Sequence, residues 1–293
     1  MTEKVRVKVE DRMLVLTNLD KVLYPGTGFT KAEVIDYYTR IAPALLPHLR
    51  GRPLTVKRYP NGADAAFFFE KNAPDHTPAW VRTVTLPAPG STKNREEIEF
   101  AVVEDLPTLV HYANLAALEI HVPMWRVAKD GEPQPPDTLV LDLDPGAPAT
   151  IVDCCRVAVL LRRALADDGL ESHPKTSGNK GMQLYVPWDR GPGTSDYAKE
   201  LARRMQAEHP FVTSVMARKE RPGKVFIDWS QNNPAKTTVA PYSLRANPLP
   251  TVSTPLRWEE VEACENPEQL VFTSSDVLKR VAEHGDLFVA LGA

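Results

Sequence analysis

The chain has 293 residues, 43% of them hydrophobic and 25% charged, with a formal net charge of −3. That is the composition of a globular protein with ample core; no apolar run approaches 18 residues and the charged start MTEKVRVKVEDR lacks an apolar leader, so neither a membrane span nor a secretory signal is expected. Three cysteines (Cys154, Cys155 and Cys264) form no C-x-x-C pair and the seven histidines are scattered, which argues for a reducing compartment and against zinc or a histidine metal site.

In chain order, short strands are expected over Val5–Val9 and Met13–Leu16. Thr30 then reads as a helix N-cap, with Glu33 completing a capping box and Val34, Ile35, Tyr38 and Ile41 forming the apolar stripe. PLTVKRYP is a strand carrying Lys57 and Arg58. AAFFFEK holds Phe67, Phe68 and Phe69; alternation along a strand buries some of them and exposes at least one, and an exposed ring beside a basic strand can stack on a base. LPAPGSTKNREEIEF is a loop between two strands, with Lys93 and Arg95 near its tip. LPTLVHYANLAALEIHVPMWR starts as a helix and ends in a strand with His121, and residues 129–137 read as a stiff linker. Helices are expected over 151–165 and 195–208, and the end of the chain is helical and acidic. Strands and helices are mixed, so the class is α/β or α+β. Charge is uneven: residues 1–58 carry eleven Lys or Arg against six Asp or Glu, which fits either a site for a polyphosphate or an ordinary solvated basic face, whereas residues 257–293 carry three against eight.

The most informative stretch is LVLDLDPG, residues 139–146. On a strand, Asp142 and Asp144 share one face while Leu139, Leu141 and Leu143 share the other, and Pro145 and Gly146 stop the strand. Two carboxylates on one face of a buried strand repel and lose hydration, a cost that a hard divalent cation offsets. KVFIDWSQN repeats the design, with Val225, Ile227 and Trp229 on one face and Phe226, Asp228 and Ser230 on the other. Three aspartates from two strands are a ligand set for a pair of Mg²⁺ or Mn²⁺ ions in phosphoryl or nucleotidyl transfer. A D-x-D alone is common, and Asp228 alone would serve as a strand-end cap; the pairing carries the inference. KTSGNKG, residues 175–181, offers the Ser177 hydroxyl, glycines at 178 and 181 and lysines at 175 and 180. Its backbone N–H groups can form an anion nest, without Walker A spacing, although an ordinary polar turn between a helix and a strand has the same composition.

Together, NLDKVLYP, TKAEVIDYY, GRPLTVKRYPNG, FFFEK, LEIHVPMWR, LVLDLDPG, KTSGNKGMQLYVP and IDWSQNNPAKTTVAPYSLR resemble the polymerase domain of bacterial ligase D, of the archaeo-eukaryotic primase superfamily, from about Leu16 to at least Val261. The resemblance implies a primase-type core of two packed sheets flanked by helices. One catalytic domain would span 1–293: an N-terminal part (1–128) with phosphate and template elements, a catalytic part (137–261) and a helical end (262–293). No ligase or nuclease module is present in these residues.

The resemblance also implies roles. Asp142, Asp144 and Asp228 would be the catalytic carboxylates holding two Mn²⁺ or Mg²⁺ ions. Lys57, His121, Ser177, Lys180, Gln183, Gln231 and Arg245 would surround the nucleotide. Asn18, Lys21 and Lys31 would take the 5′-phosphate across a gap, Phe68 and Phe69 would stack on the template, and the loop with Lys93 and Arg95 would help bring two ends together. Activity would be gap filling in non-homologous end joining, with a leaning toward ribonucleotides. Partners would be DNA bearing a 5′-phosphate, NTP or dNTP, a Ku-type protein and an ATP-dependent ligase, in a bacterial cytoplasm at the nucleoid. Where the family often has histidine, this chain has Gln183, which cannot carry positive charge, so weaker triphosphate binding is expected. An end-bridging module without synthesis, a de novo primase and a metal-dependent nuclease are the competing readings.

Overall fold

A computed structural model describes residues 4–88 and 96–292. Two sheets position everything that follows. The five-stranded sheet runs in the order His173–Thr176, Met182–Pro187, Thr138–Pro145, Val225–Asp228, Val212–Thr213, antiparallel except for the last pair. The four-stranded sheet is antiparallel throughout, in the order Thr238–Val239, Ala117–Val122, Thr55–Arg58, Phe68–Glu70. This is the mixed α/β architecture with flanking helices that the pattern of elements leads one to expect.

Period-two alternation decides the faces of the central strand. Leu139, Leu141 and Leu143 are fully buried against Cys154, Val157 and Leu161 of the helix Ile151–Asp167 and Ala198 and Leu201 of the helix Thr194–Glu208. The opposite face is left to Asp142 and Asp144. Helix starts follow the caps. Thr30 and Glu33 form the expected box at the head of Lys31–Leu49, and Thr150 with Asp153 forms a second at Ile151.

A second core gathers Val34, Tyr38, Ile41 and Leu45 of the first helix with Leu109, Leu118 and Ile120, but also Ala240, Tyr242, Leu244 and Val277. The chain after Asp228 therefore returns to the four-stranded sheet, and packing does not divide at residues 128–137. That segment is no plain linker: Pro133–Pro136 pairs with Trp125–Val127, its prolines lying in a two-stranded ribbon that asks few N–H groups of them. The strand after Lys224 is shorter than alternation suggests, because Asp228 ends it and Trp229–Asn232 turns into 3₁₀ helix. Strands Thr83–Pro87 and Glu97–Ala101 do pair; Lys93 and Arg95 between them lie outside the described residues. Among the described residues no helix is long and apolar enough to cross a membrane.

Leu141 has no exposed surface, so Leu141→Ala should destabilise the protein by about 2–5 kcal/mol, read from the midpoint of urea unfolding.

Candidate active site

Register builds the first cluster. Asp142 lies opposite Asp228 on one side and Gln183 on the other, and Gln183 lies opposite Lys175. Four strands thus set Lys175, Gln183, Asp142 and Asp228 in one row, with Asp144 two residues along. Gln183 Nε2 donates to Asp142 Oδ1 at 3.0 Å, and Lys175 Nζ donates to Gln183 Oε1 at 2.6 Å. Asp228 accepts from Ser230 N (3.0 Å), Ser230 Oγ (2.5 Å) and Gln231 Nε2 (3.1 Å), so it is both a strand-end cap and a member of the row; Lys236 Nζ stands 3.9 Å away.

Burial, followed by the charge of Asp144, pushes the Asp142 carboxyl well above the usual carboxylate range, against the Gln183 hydrogen bond. Burial and Asp228 likewise raise Asp144, against Arg221. Carboxylates crowded in this way, Asp142 half-buried and Asp144 exposed, are oxygen donors suited to a hard divalent cation. The donor chemistry fits the implied ions, although among the described residues no three His, Cys, Asp or Glu side chains close into a preformed cage.

Ser177 and its glycines make a hairpin loop between two strands of the same sheet, not a turn after a helix. Ser177 Oγ accepts from Asn179 N (3.3 Å) and Gly181 N (3.2 Å), so two loop amides already point at one oxygen. Gly178 is required twice over: its φ is +71°, and a Cβ there would lie 2.6 Å from Arg245 Cγ. The loop is thereby pressed against Arg245, while Lys180 is exposed at its tip. Lys175 is different. It is fully buried, and with Ser253 Oγ (2.6 Å) and Val239 O (3.1 Å) as further acceptors it is unavailable to a phosphate.

The second cluster centres on a residue that the sequence reading passed over. Glu119 is buried and opposes Lys57 across the strands. Its carboxylate meets Lys57 Nζ at 3.4 Å, His121 Nε2 at 3.0 Å, Arg245 at 3.7 Å and the Tyr59 hydroxyl at 3.3 Å. Three residues expected at the nucleotide thus share one buried anion. The signal was present in LEIH, where Glu119 and His121 alternate onto one face as the two aspartates do. Burial alone would raise Glu119, but the His121 hydrogen bond and the charges of Arg245, His121 and Lys57 bring it down to about 2. Burial lowers His121, opposed by Glu119.

The aromatic residues depart from expectation. Phe67, Phe68 and Phe69 are all exposed, at 48%, 43% and 53%, because Phe68–Glu70 is an edge strand that nothing among the described residues covers. Phe69 lies opposite Lys57, whose ammonium sits 4.3 Å from the Phe67 ring centre and 5.5 Å from that of Phe69. Phe68 lies opposite Arg58, 5.1 Å from its ring. On that side a third cluster forms. Asn18 adopts a left-handed turn (φ 53°) and accepts from Lys21 N, Lys31 N donates to Lys21 O, and Lys31 Nζ donates to Thr17 O at 2.5 Å. Burial, then the charges of Lys21 and Arg58, lower Lys31 to about 8. Arg58 belongs to this group, though only its place on a basic strand was legible in the sequence.

Comparison with known proteins bears on the family and the fold. A family profile described as the LigD primase-polymerase domain matches residues 30–288. The chain is 44% identical over 283 residues to the multifunctional non-homologous end joining protein LigD of Mycolicibacterium smegmatis, covering 95% of this chain and 36% of the relative. It is 34% identical to the bifunctional LigD of Bacillus subtilis, covering 93% of this chain and 43% of that one. The chain therefore spans about two fifths of these curated relatives. The polymerase domain of Mycobacterium tuberculosis ligase D, solved in complex with DNA, superposes with a TM-score of 0.89 at 42% identity, covering 95% of this chain and 98% of that one. Fold and relatives define a primase-type nucleotidyltransferase. The chain belongs to the LigD primase-polymerase domain family.

Glu119 supplies a check on the electrostatics. Its carboxyl titrates lower in the folded protein than the ordinary 4.5, so its contribution to stability is complete above about 4.5 and is lost as pH falls toward about 2. Glu119→Gln should flatten the loss of stability over that window, measured by urea unfolding at stepped pH.

Proposed function

We propose that this domain fills short gaps at DNA ends during non-homologous end joining, copying a template by adding nucleotides to a primer 3′-hydroxyl. One observation carries the reading: the register that sets Asp142 opposite Asp228, with Asp144 beside them on the same face. When bound, two Mn²⁺ or Mg²⁺ ions held by these carboxylates supply charge stabilisation and alignment at the α-phosphate. The chain's own groups do the rest. Ser177, Lys180, Arg245 and Gln231 border the place where the nucleotide's triphosphate would lie, with Lys57 and His121 behind it, aligned by Glu119. The primer 3′-hydroxyl loses its proton to solvent as its oxygen bonds to the α-phosphorus and the bond from that phosphorus to the leaving pyrophosphate breaks.

Phe69 and Phe68 offer stacking faces for template bases on the two sides of an edge strand. Asn18, Lys21 and Lys31 form a separate group suited to a downstream 5′-phosphate, beside Arg58, which is paired with Glu70 at 2.8 Å; this favours gap filling over simple primer extension. The names of the relatives support the repair setting, as does the DNA in the M. tuberculosis complex. A preference for ribonucleotides, a Ku-type partner, an ATP-dependent ligase and a place at the bacterial nucleoid belong to the same proposal.

The test is extension of a primer across a short gap with Mn²⁺ and either NTPs or dNTPs. Asp142→Ala should abolish extension and leave end binding intact, since phosphate contacts dominate affinity. Tight, phosphate-dependent binding without extension by the wild type would make the domain an end-bridging module instead.

A second expected outcome concerns pH. Lys31 binds phosphate as the ammonium ion, and its pKa in the free protein is near 8. Preference for a 5′-phosphorylated gap should therefore hold at pH 7 and decline as pH rises through about 8. Lys31→Arg, which stays charged, should remove that decline; binding ratios for phosphorylated and unphosphorylated gaps between pH 7 and 9 decide it.

A further inference from the structure

The row across the five-stranded sheet ends at a buried lysine, and the chemistry of that lysine fixes the orientation of its neighbour. An ammonium group has three donors and no acceptor. All three point to oxygens: Gln183 Oε1 (2.6 Å), Ser253 Oγ (2.6 Å) and Val239 O (3.1 Å). Burial, then Arg245, pulls the Lys175 pKa well below its ordinary value, against Asp142, but the two ends of the amide agree: Gln183 turns its carbonyl oxygen toward Lys175, since the flipped amide would set its oxygen against Asp142 Oδ1. Its NH₂ group is left facing Asp142 Oδ1 at 3.0 Å. Gln183 itself is 3% exposed, with both ends of its amide engaged inside the sheet.

We propose that Gln183, oriented by Lys175, is a positioning residue for Asp142: it holds Oδ1 and leaves the other carboxylate oxygen turned to the cation site. It is thus not a ligand of the triphosphate, which is the role that the family histidine suggested for this position. The proposal rests on the reading of Asp142 and its neighbours as a metal site. Its physical basis is that of outer-shell partners generally, which fix a ligand's direction and whose loss typically weakens metal binding 10–100-fold. The neutral amide suits the task. It satisfies one carboxylate oxygen without bringing a charge that would repel the ion, while the buried ammonium that directs it stands one strand further away.

The experiment measures Mn²⁺ binding by calorimetry on protein free of DNA and nucleotide, alongside the KM for NTP at saturating Mn²⁺. Gln183→Leu removes the donor at similar volume, and Gln183→Asn keeps the amide but shortens it by one methylene. Both should weaken Mn²⁺ binding roughly 10-fold or more while the NTP KM stays within about two-fold of wild type. Thermal midpoints and gap binding of each variant guard against a folding defect. Unchanged Mn²⁺ affinity with a raised NTP KM would make Gln183 a phosphate ligand and overturn the proposal. Asp144→Asn separates the two layers. If it abolishes Mn²⁺ binding while both Gln183 variants bind as wild type, only the positioning role falls. If the wild type binds no Mn²⁺, the metal reading falls with it.

Discussion

Two carboxylates facing each other across adjacent antiparallel strands repel at short range, and burial removes much of the water that would screen them. Asp142 and Asp228 are in that position, and much of the surrounding structure answers it. Neutral donors are brought to each: the Gln183 amide to Asp142, the Ser230 backbone and hydroxyl and the Gln231 amide to Asp228. A buried ammonium stands one residue further along the row. The leucine face behind anchors the strand, and with it the face that carries Asp142 and Asp144. What results is a preorganised deficit of positive charge, and such a deficit is what makes a surface selective for multivalent cations.

The four-stranded sheet solves the opposite problem. It gathers Lys57, His121 and Arg245 around Glu119, which offsets the repulsion between the lysine and the arginine from within. The two sheets therefore present complementary faults in charge, one short of cations and one held together by a single anion. Lys175 and Arg245 lie where the two meet, with Lys175 bonded to Val239 of the four-stranded sheet and Arg245 packed on the Ser177 loop. A nucleotide triphosphate with its cations is a ligand that would answer both at once.

Much of this was legible in the sequence wherever a local period governs. The D-x-D strand, the Thr30 capping box and the main helices all depend on neighbours within a few residues. Pairings across strands do not, and there the reading stopped. E-x-H carries the same alternation as D-x-D, yet only the partner strand shows that Lys57 and Arg245 converge on Glu119. Lys175 looked like a phosphate ligand because it sits beside a glycine loop; its burial depends on Ser253 and Val239, 78 and 64 residues away. The phenylalanines were misjudged for a related reason. Alternation predicts a buried face only if something covers it, and sheet order alone reveals an edge.

The return of the chain to its first sheet has a consequence for how the protein can be assembled. Thr238–Val239 pairs with His121 and Val122, and Tyr37 donates to Tyr242 O across 205 residues. The four-stranded sheet is therefore unfinished until more than four fifths of the chain has been made. A ribosome would release the aspartate sheet, with its helices, before the four-stranded sheet is complete. Such long-range closure slows folding and leaves an open strand edge exposed meanwhile. It also ties completion of the Glu119 cluster to a late event, so a truncated product ending after Asp228 would carry all three aspartates and still lack Arg245.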